Sequence, residues 1–437
     1  MILKNSNLLL LAFASVFLSR TIHALGFPAL IDFFHLAFVP FASVFTLLTN
    51  RTSKHCYSLI ISPSLFSLYL LLVVMVASAL INEAGIVNIV FEFVLFAEPV
   101  LLMLAIISLP RIANNIEKFR AWIFRFALAD IVFSHIQRFV FRFDLHNTDI
   151  NDPYDDIKGI FIGQGAGHYV GAAVSLTFGF YYFVTTVGTR PRWARIAILL
   201  AAISRVIISG RRQTFFAFVF ALVILTLINT KNFKRMLIYL SAIALAIALL
   251  IVAAFTVLKS LQLGNFIRPD VVAGVIDLKT CPFRIVVAHY ESPLNILFGV
   301  GPGHSVDRLG GWMLQPWGYW NMLHPLGATR SVISDEVWGE VGSNWVGPLS
   351  TFFSPFFGWA AIWGDLGFLG LGVYFYLSFL LWRYVCLDQI SKFFLLTIFV
   401  FGLIFTWLEE PAYMVFLAVL LGLHWHDVME EKEARKA

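Results

Sequence analysis

Runs of roughly twenty consecutive apolar residues recur along the whole of this chain, and no other feature constrains its fold so tightly. About 20 helical residues cross the hydrocarbon core of a bilayer. A segment inside that core must satisfy its own backbone N–H and C=O groups, which an α-helix does. Such runs fall at about 7–24, 27–48, 58–80, 86–109, 121–141, 160–186, 194–210, 213–230, 236–258, 355–382, 393–408 and 411–425. The pattern predicts an all-α polytopic membrane protein of about twelve transmembrane helices. Charge is correspondingly scarce: 59% of the 437 residues are hydrophobic and 13% are charged, a balance outside the soluble globular range. The first run follows Lys4 but has no small-residue cleavage site after it, so it reads as a first span rather than a removable signal.

Orientation follows from the basic connections. Arg51 and Lys54, then Arg111, Lys118, Arg120 and Arg125, then Arg190, Arg192 and Arg195, then Lys231, Lys234 and Arg235, and finally Arg383 with Lys392, lie between apolar runs. The positive-inside rule makes these cytoplasmic. The segment carrying Asp144, Asp149, Asp152, Asp155 and Asp156 then falls outside, and both termini fall in the cytoplasm. Three parts result: an N-terminal transmembrane bundle over 1–258, an extracytoplasmic loop over 259–354, and C-terminal helices with a cytoplasmic tail over 355–437. The loop is rich in Trp, Gly and Pro, a composition that can fold against the membrane surface, whereas the other connections are too short for a soluble catalytic domain. Any chemistry is therefore expected at the membrane, on its outer side. Cys56, Cys281 and Cys386 are far apart, and this topology puts Cys281 on the side opposite the other two, so no disulfide framework or metal knuckle follows.

Arg211 and Arg212 break this charge pattern. Both connections flanking the stretch from 194 to 230 are basic, so the chain between them goes out and returns, and the tip "SGRRQ" of that hairpin lies at the outer face. Each arm has only about 17 residues, short enough to hold the tip below the outer headgroups. Arginine stays protonated and offers a planar fork of donors matched to phosphate, and charge at membrane depth marks function. Snorkelling of both side chains to lipid headgroups is the alternative. Ser204, Arg205 and Ser209 lie on the same arm and extend the cluster.

The run "ISGRRQTFFAFVFALVIL" resembles the Ser-x-Arg helix of the O-antigen ligase and O-antigen polymerase superfamily. Two further segments resemble it in order and spacing. "DDIKGIFIGQGAGHYVGAAV", Asp155 to Val174, is similar to the acidic, glycine-punctuated entry to the preceding span. "PLNILFGVGPGHS", Pro293 to Ser305, with "GWAAIWGDLGFLGLGVYF", Gly358 to Phe375, is similar to the Gly-x-Gly turn of the outer loop and the acidic start of the span after it. The resemblance covers roughly 155–385. It implies a bacterial inner-membrane enzyme acting on an undecaprenyl-diphosphate-linked glycan among membrane lipids, with a chain-length regulator and a flippase of the same pathway as further partners. The chain departs from the family in one place. Members commonly carry a His-Asn pair about ten residues before the acidic residue matching Asp365, where this chain reads "STFFSPFFGWAAIWGD". That departure favours the polymerase over the ligase, and it leaves His304 or His324 to supply a histidine from elsewhere in the loop.

Breaking a sugar–phosphate bond concentrates charge on the departing diphosphate, and fixed cations stabilise that charge. Arg211 and Arg212 suit this role, and the chain contains no Asp-x-Asp, which points to metal-independent chemistry with no cofactor. A base must take the acceptor proton. His304, directly after the Gly-Pro-Gly turn, and His324, in "NMLHPLG", are the candidates. Substrate binding is expected from Ser209, Arg205, Asp155, Asp156, His168, Arg284 and Asp365. Trp312, Trp317, Trp320, Trp338 and Trp345 read as sugar-stacking or interfacial side chains. Glu92, Glu409 and Glu410 are costly at membrane depth and call for arginine partners that the sequence does not identify. Two other classes remain open: a transporter or flippase of an anionic lipid-linked substrate, and a structural partner in an envelope assembly. Nothing suggests nucleic acid, since a basic balance is usual for cytoplasmic loops.

Overall fold

The computed structural model of the chain describes residues 5–50, 56–110, 113–143, 156–163, 166–230, 268–347 and 353–435. The apolar run at 236–258, Asp155 and the side chain of Arg212 lie outside the described residues. Every other apolar run contains helix, and no strand occurs among the described residues. The longer helices are α1 (Asn5–Phe17), α2 (Ser19–Ala24), α3 (Phe34–Thr49), α4 (Ser62–Ile81), α5 (Ile86–Ile107), α6 (Ala113–Phe139), α7 (Gly167–Thr185), α8 (Arg192–Ile208), α9 (Arg212–Asn229), α10 (Pro269–Ala288), α11 (Ile333–Ser343), α12 (Gly358–Leu380), α13 (Gln389–Phe401) and α14 (Pro411–Ala434). Among the described residues, five helical segments are long and apolar enough to cross a membrane: Ala29–Thr49, Tyr57–Ile81, Ile86–Ile107, Gly358–Val385 and Pro411–Ala434. The chain is thus a helical membrane protein.

Polar contacts bring the starts of α1, α6 and α13 together with the ends of α3, α5, α9 and α14. At one end, Asn5 at the start of α1 donates to Thr49, which ends α3, and to Asn50 after it, at 2.9 and 2.7 Å. Asn50 reaches Ser108 beyond α5, Arg120 near the start of α6 pairs with Asp427 late in α14, and Asn229 ending α9 donates to Gln389 opening α13. Asp388 caps α13 there by accepting the Ser391 N–H, and it accepts from His424 of α14 at 2.9 Å. Burial alone would push the Asp388 carboxyl up, but the bonds from His424 and Ser391 more than offset it and hold it below the usual carboxylate range.

The opposite end carries the long loop. Asn82, after α4, donates to the Gly299 carbonyl, and Asn88, in the first turn of α5, donates to those of Pro302 and Thr329. Within the loop, α10 packs on α11 over a separate apolar core that includes Leu278, Val286, Val306, Val337 and Phe356. Trp312 and Trp338 meet edge to face at 4.9 Å beside this core, and Trp338 donates to the Gly311 carbonyl. These two tryptophans pack, half-buried, against the core of the folded loop. Trp317 and Trp345 are the exposed ones.

The middle of the bundle is α14, apolar all round and buried at every position from Pro411 to His426, as a helix without a polar face must be. It packs against α5, which in turn packs on α3 and α4. One long helix is not continuous: α12 breaks at Gly367, with φ +62° and ψ −160°.

Candidate functional site

The loop-bearing end of the bundle gathers two groups of polar side chains from far apart in sequence. The first forms at the tip of the α8–α9 hairpin. Arg211 stands between the helices, where its N–H bonds Val206 and closes the end of α8. The residue is 7% exposed, and its guanidinium lies over the Tyr169 ring at 4.2 Å and donates to the Tyr169 hydroxyl at 2.6 Å. It is therefore aimed into the bundle, away from surrounding lipid. His168 packs beside Tyr169, with ring centroids 4.3 Å apart. Arg205, nearly two turns earlier in the sequence and on α8, is fully buried and places Nε 3.5 Å from Asp130 of α6. Asp130 also accepts from Ser175 at 2.8 Å and from the Ile160 N–H at 3.1 Å. Nε, Nη1 and Nη2 of Arg205 make no hydrogen bond among the described residues. Ser209 is buried, and its hydroxyl goes to the Arg205 and Val206 carbonyls of its own helix.

The second group surrounds the break in α12. There the turn Gly299–Gly303 runs alongside the helix backbone: the Val300 and Gly301 N–H groups bind the Gly364 and Asp365 carbonyls at 2.8 and 3.1 Å. The broken turn frees these carbonyls for the loop. Asp365, fully buried, accepts the Ser305 and His304 N–H groups at 2.7 and 3.2 Å. His304 Nε2 meets the Thr329 hydroxyl at 2.9 Å and Nδ1 lies 3.2 Å from the Val300 carbonyl. Burial pushes its imidazole down from the usual histidine range, against the opposing effect of that carbonyl, so it is neutral near pH 7. Asp307 follows, bound by the Leu309 and Gly310 N–H groups at 3.1 and 2.7 Å, while burial pushes its carboxyl up to about 7.

Glu410 bridges the two groups. It takes Arg20 at 3.0 Å on one side and Arg308 on the other, and Glu409 accepts the Arg308 N–H. Thr21, beside Arg20, donates to the Ile160 carbonyl in the segment that also reaches Asp130. Of the three glutamates, Glu410 alone has arginine ion-pair partners among the described residues; Glu409 meets Arg308 through its backbone N–H and Glu92 meets neither arginine.

Three of the predicted site residues stand apart. His324 is exposed, stacks on Trp320 at 4.3 Å and faces the Ala328 carbonyl at 3.3 Å. Arg284 is exposed on α10 and pairs with Glu340 at 3.1 Å. Asp156 joins neither group through a side-chain bond. Reasoning from sequence missed Tyr169 and Asp130. Asp130 was detectable as a lone carboxylate inside the apolar run at 121–141, the same signal that singled out Glu92.

Gly367 can be tested as the origin of the second group. A Cβ there would lie 2.4 Å from the Leu297 carbonyl carbon and oxygen and 2.7 Å from the Gly299 nitrogen, in a backbone region that disfavours side chains. Gly367→Ala is expected to destabilise the protein by about 3 kcal/mol or more. Gly372→Ala, on the same helix with open space at its Cβ, is expected to be neutral within about 0.5 kcal/mol. Thermal unfolding of the two purified variants checks both. No protein-family model matches the chain, and no curated protein matches it in sequence.

Proposed function

We propose that this chain is a bacterial inner-membrane glycosyltransferase that polymerises undecaprenyl-diphosphate-linked repeat units into a surface polysaccharide. In this reading about twelve spans cross the membrane, both termini are cytoplasmic, and the loop-bearing end faces outward. The basic residues Arg120, Arg195, Arg383 and Lys392 then share the cytoplasmic end, as the positive-inside rule asks.

The observation that carries the reading is the inward-turned guanidinium of Arg211, held by Tyr169 at the tip of the hairpin. A snorkelling arginine would extend toward headgroups; this one is buried beside a second buried arginine that makes no hydrogen bond among the described residues. In the reaction an acceptor hydroxyl oxygen bonds to the anomeric carbon and the carbon–oxygen bond to the diphosphate breaks. The hydroxyl proton passes to a base, and the bonding electrons leave with the diphosphate. Arg211 stabilises that charge by a preorganised cationic environment. His304, neutral and beside Asp365, is the base of the appropriate form.

The direct test supplies the purified full chain, in lipid vesicles, with lipid-diphosphate-linked repeat units. The expected product is a ladder of longer glycans on the lipid carrier. Unchanged single units would overturn the reading. A second reading, transport of the same lipid-linked substrate, draws on the break in α12 at Gly367, since discontinuous helices build transporter sites. It predicts single units moved from one leaflet to the other with no change in length.

A further inference from the structure

Three carboxylates that the proposed reaction leaves without a role converge beside the broken turn of α12. Glu92 of α5, Asp307 of the loop and Asp365 of α12 are each at most 1% exposed, and they offer oxygens that all lie within 4.8 Å of one another. A fourth, Glu409, is equally buried and close enough for its charge to act on Glu92 and Asp365. Oε2 of Glu92, Oδ2 of Asp365 and Oε1 of Glu409 have no hydrogen-bond donor among the described residues. The nearby Arg308 directs its guanidinium to Glu410 and gives the cluster only its backbone N–H, at Glu409.

A second observation concerns a neutral side chain. Ser305 is fully buried, and its hydroxyl makes no well-formed hydrogen bond among the described residues, although it lies near enough to interact with the Asp365 carboxylate and its own N–H is bound to Oδ1 of that residue. Its oxygen adds one more ligand to a set made only of oxygens. Carboxylates taken out of water are paired or hold a cation, and hard cations are the ones that select such ligands.

We infer that Glu92, Asp307 and Asp365, with Ser305 and Glu409 beside them, bind a hard divalent cation of the Ca2+ type, which ties the loop after Gly303 to α5, α12 and the entry to α14. Ca2+ takes about six to eight oxygen ligands in flexible geometry and suits a dry cluster made only of oxygens, whereas Mg2+ keeps several of its waters. The role is structural and does not depend on glycosyl transfer, so the site stands or falls apart from Arg211.

The test uses the purified full chain, stripped with EDTA, dialysed and titrated with CaCl2 while bound metal and melting temperature are measured. About one equivalent should bind, and the melting temperature should rise by about 3 °C at saturation. Glu92→Gln and Asp365→Asn should each weaken Ca2+ affinity about tenfold or more. Asp335→Asn, an exposed carboxylate on α11, should leave it unchanged. The amide variants keep shape and remove buried charge, so they should fold, and the wild-type titration reads the site without any variant. A wild-type protein that binds no Ca2+ and melts identically in Ca2+ and EDTA overturns the inference, and the cluster then holds shared protons. Undiminished binding in both amide variants overturns it as well.

Discussion

Asp130→Ala is expected to destabilise the protein by about 3–5 kcal/mol, the largest effect foreseen for a single side chain outside the reaction itself. Asp130 and Arg205 are both fully buried, and no other carboxylate lies within ion-pairing distance of Arg205 among the described residues. Removing the carboxylate leaves a guanidinium that cannot lose its proton and cannot reach water. It also strips the acceptor from the Ile160 N–H and the Ser175 hydroxyl. The pair itself is not expected to be a large net source of stability, because desolvating both ions offsets much of their attraction. Asp130→Asn with Arg205→Met removes both charges, keeps the amide oxygen as acceptor for the Ile160 N–H and lets the Ser175 hydroxyl accept from the amide NH2. That double variant should recover to within about 1–2 kcal/mol of wild type. Thermal unfolding of the two variants in one detergent makes the comparison. A single variant as stable as wild type would mean that Arg205 finds another partner and that the pair does not hold α6 to α8.

Apolar periodicity made the positions of helices legible because the bilayer constraint acts on each segment alone. Ile86–Ile107 falls within the run at 86–109, and Tyr57–Ile81 covers the run at 58–80. The first run is divided, with α1 ending at Phe17 and α2 starting at Ser19, and composition carries no mark of that division. The break at Gly367 was equally hidden. Its glycine resembles its neighbours Gly364 and Gly370 in sequence, and only the approach of Leu297 and Gly299 from the loop singles it out. Site residues divide in the same way. Arg211 drew attention because a charge expected on the wrong side of a hairpin breaks a rule that acts locally, and the structure buries its side chain against Tyr169. Tyr169 was not, since its role depends on α7 packing against α8. His304 and His324 were equivalent in sequence; the loop fold buries one beside Asp365 and leaves the other exposed. Glu410 advertised a need for cations, but Arg20 and Arg308 lie 390 and 102 residues away from it, so only packing could name them.

Arg211→Ala is expected to lower polymer formation by about 100- to 1,000-fold, the usual cost of losing one group that stabilises developing negative charge. Arg211→Lys should recover only part of this, because a lysine offers a point charge without the planar fork that binds two phosphate oxygens at once. Tyr169→Phe separates positioning from charge. It keeps the ring under the guanidinium and removes the hydroxyl that accepts from Nη1. Activity should fall by about 10- to 100-fold, because a hydrogen bond from a charged donor contributes about 1.5–3 kcal/mol. Chain-length ladders and lipid-linked intermediates, measured in cells where each variant is inserted at wild-type level, distinguish the cases. Loss of polymerisation accumulates single repeat units on the lipid carrier at the outer face. Loss of a ligase would instead leave long polymer on the carrier, and a failed transporter would hold single units at the inner leaflet. Wild-type ladders from a stably inserted Arg211→Ala protein would remove the leaving-group role. Loss in that variant with full retention in Arg211→Lys would reduce the requirement to charge alone.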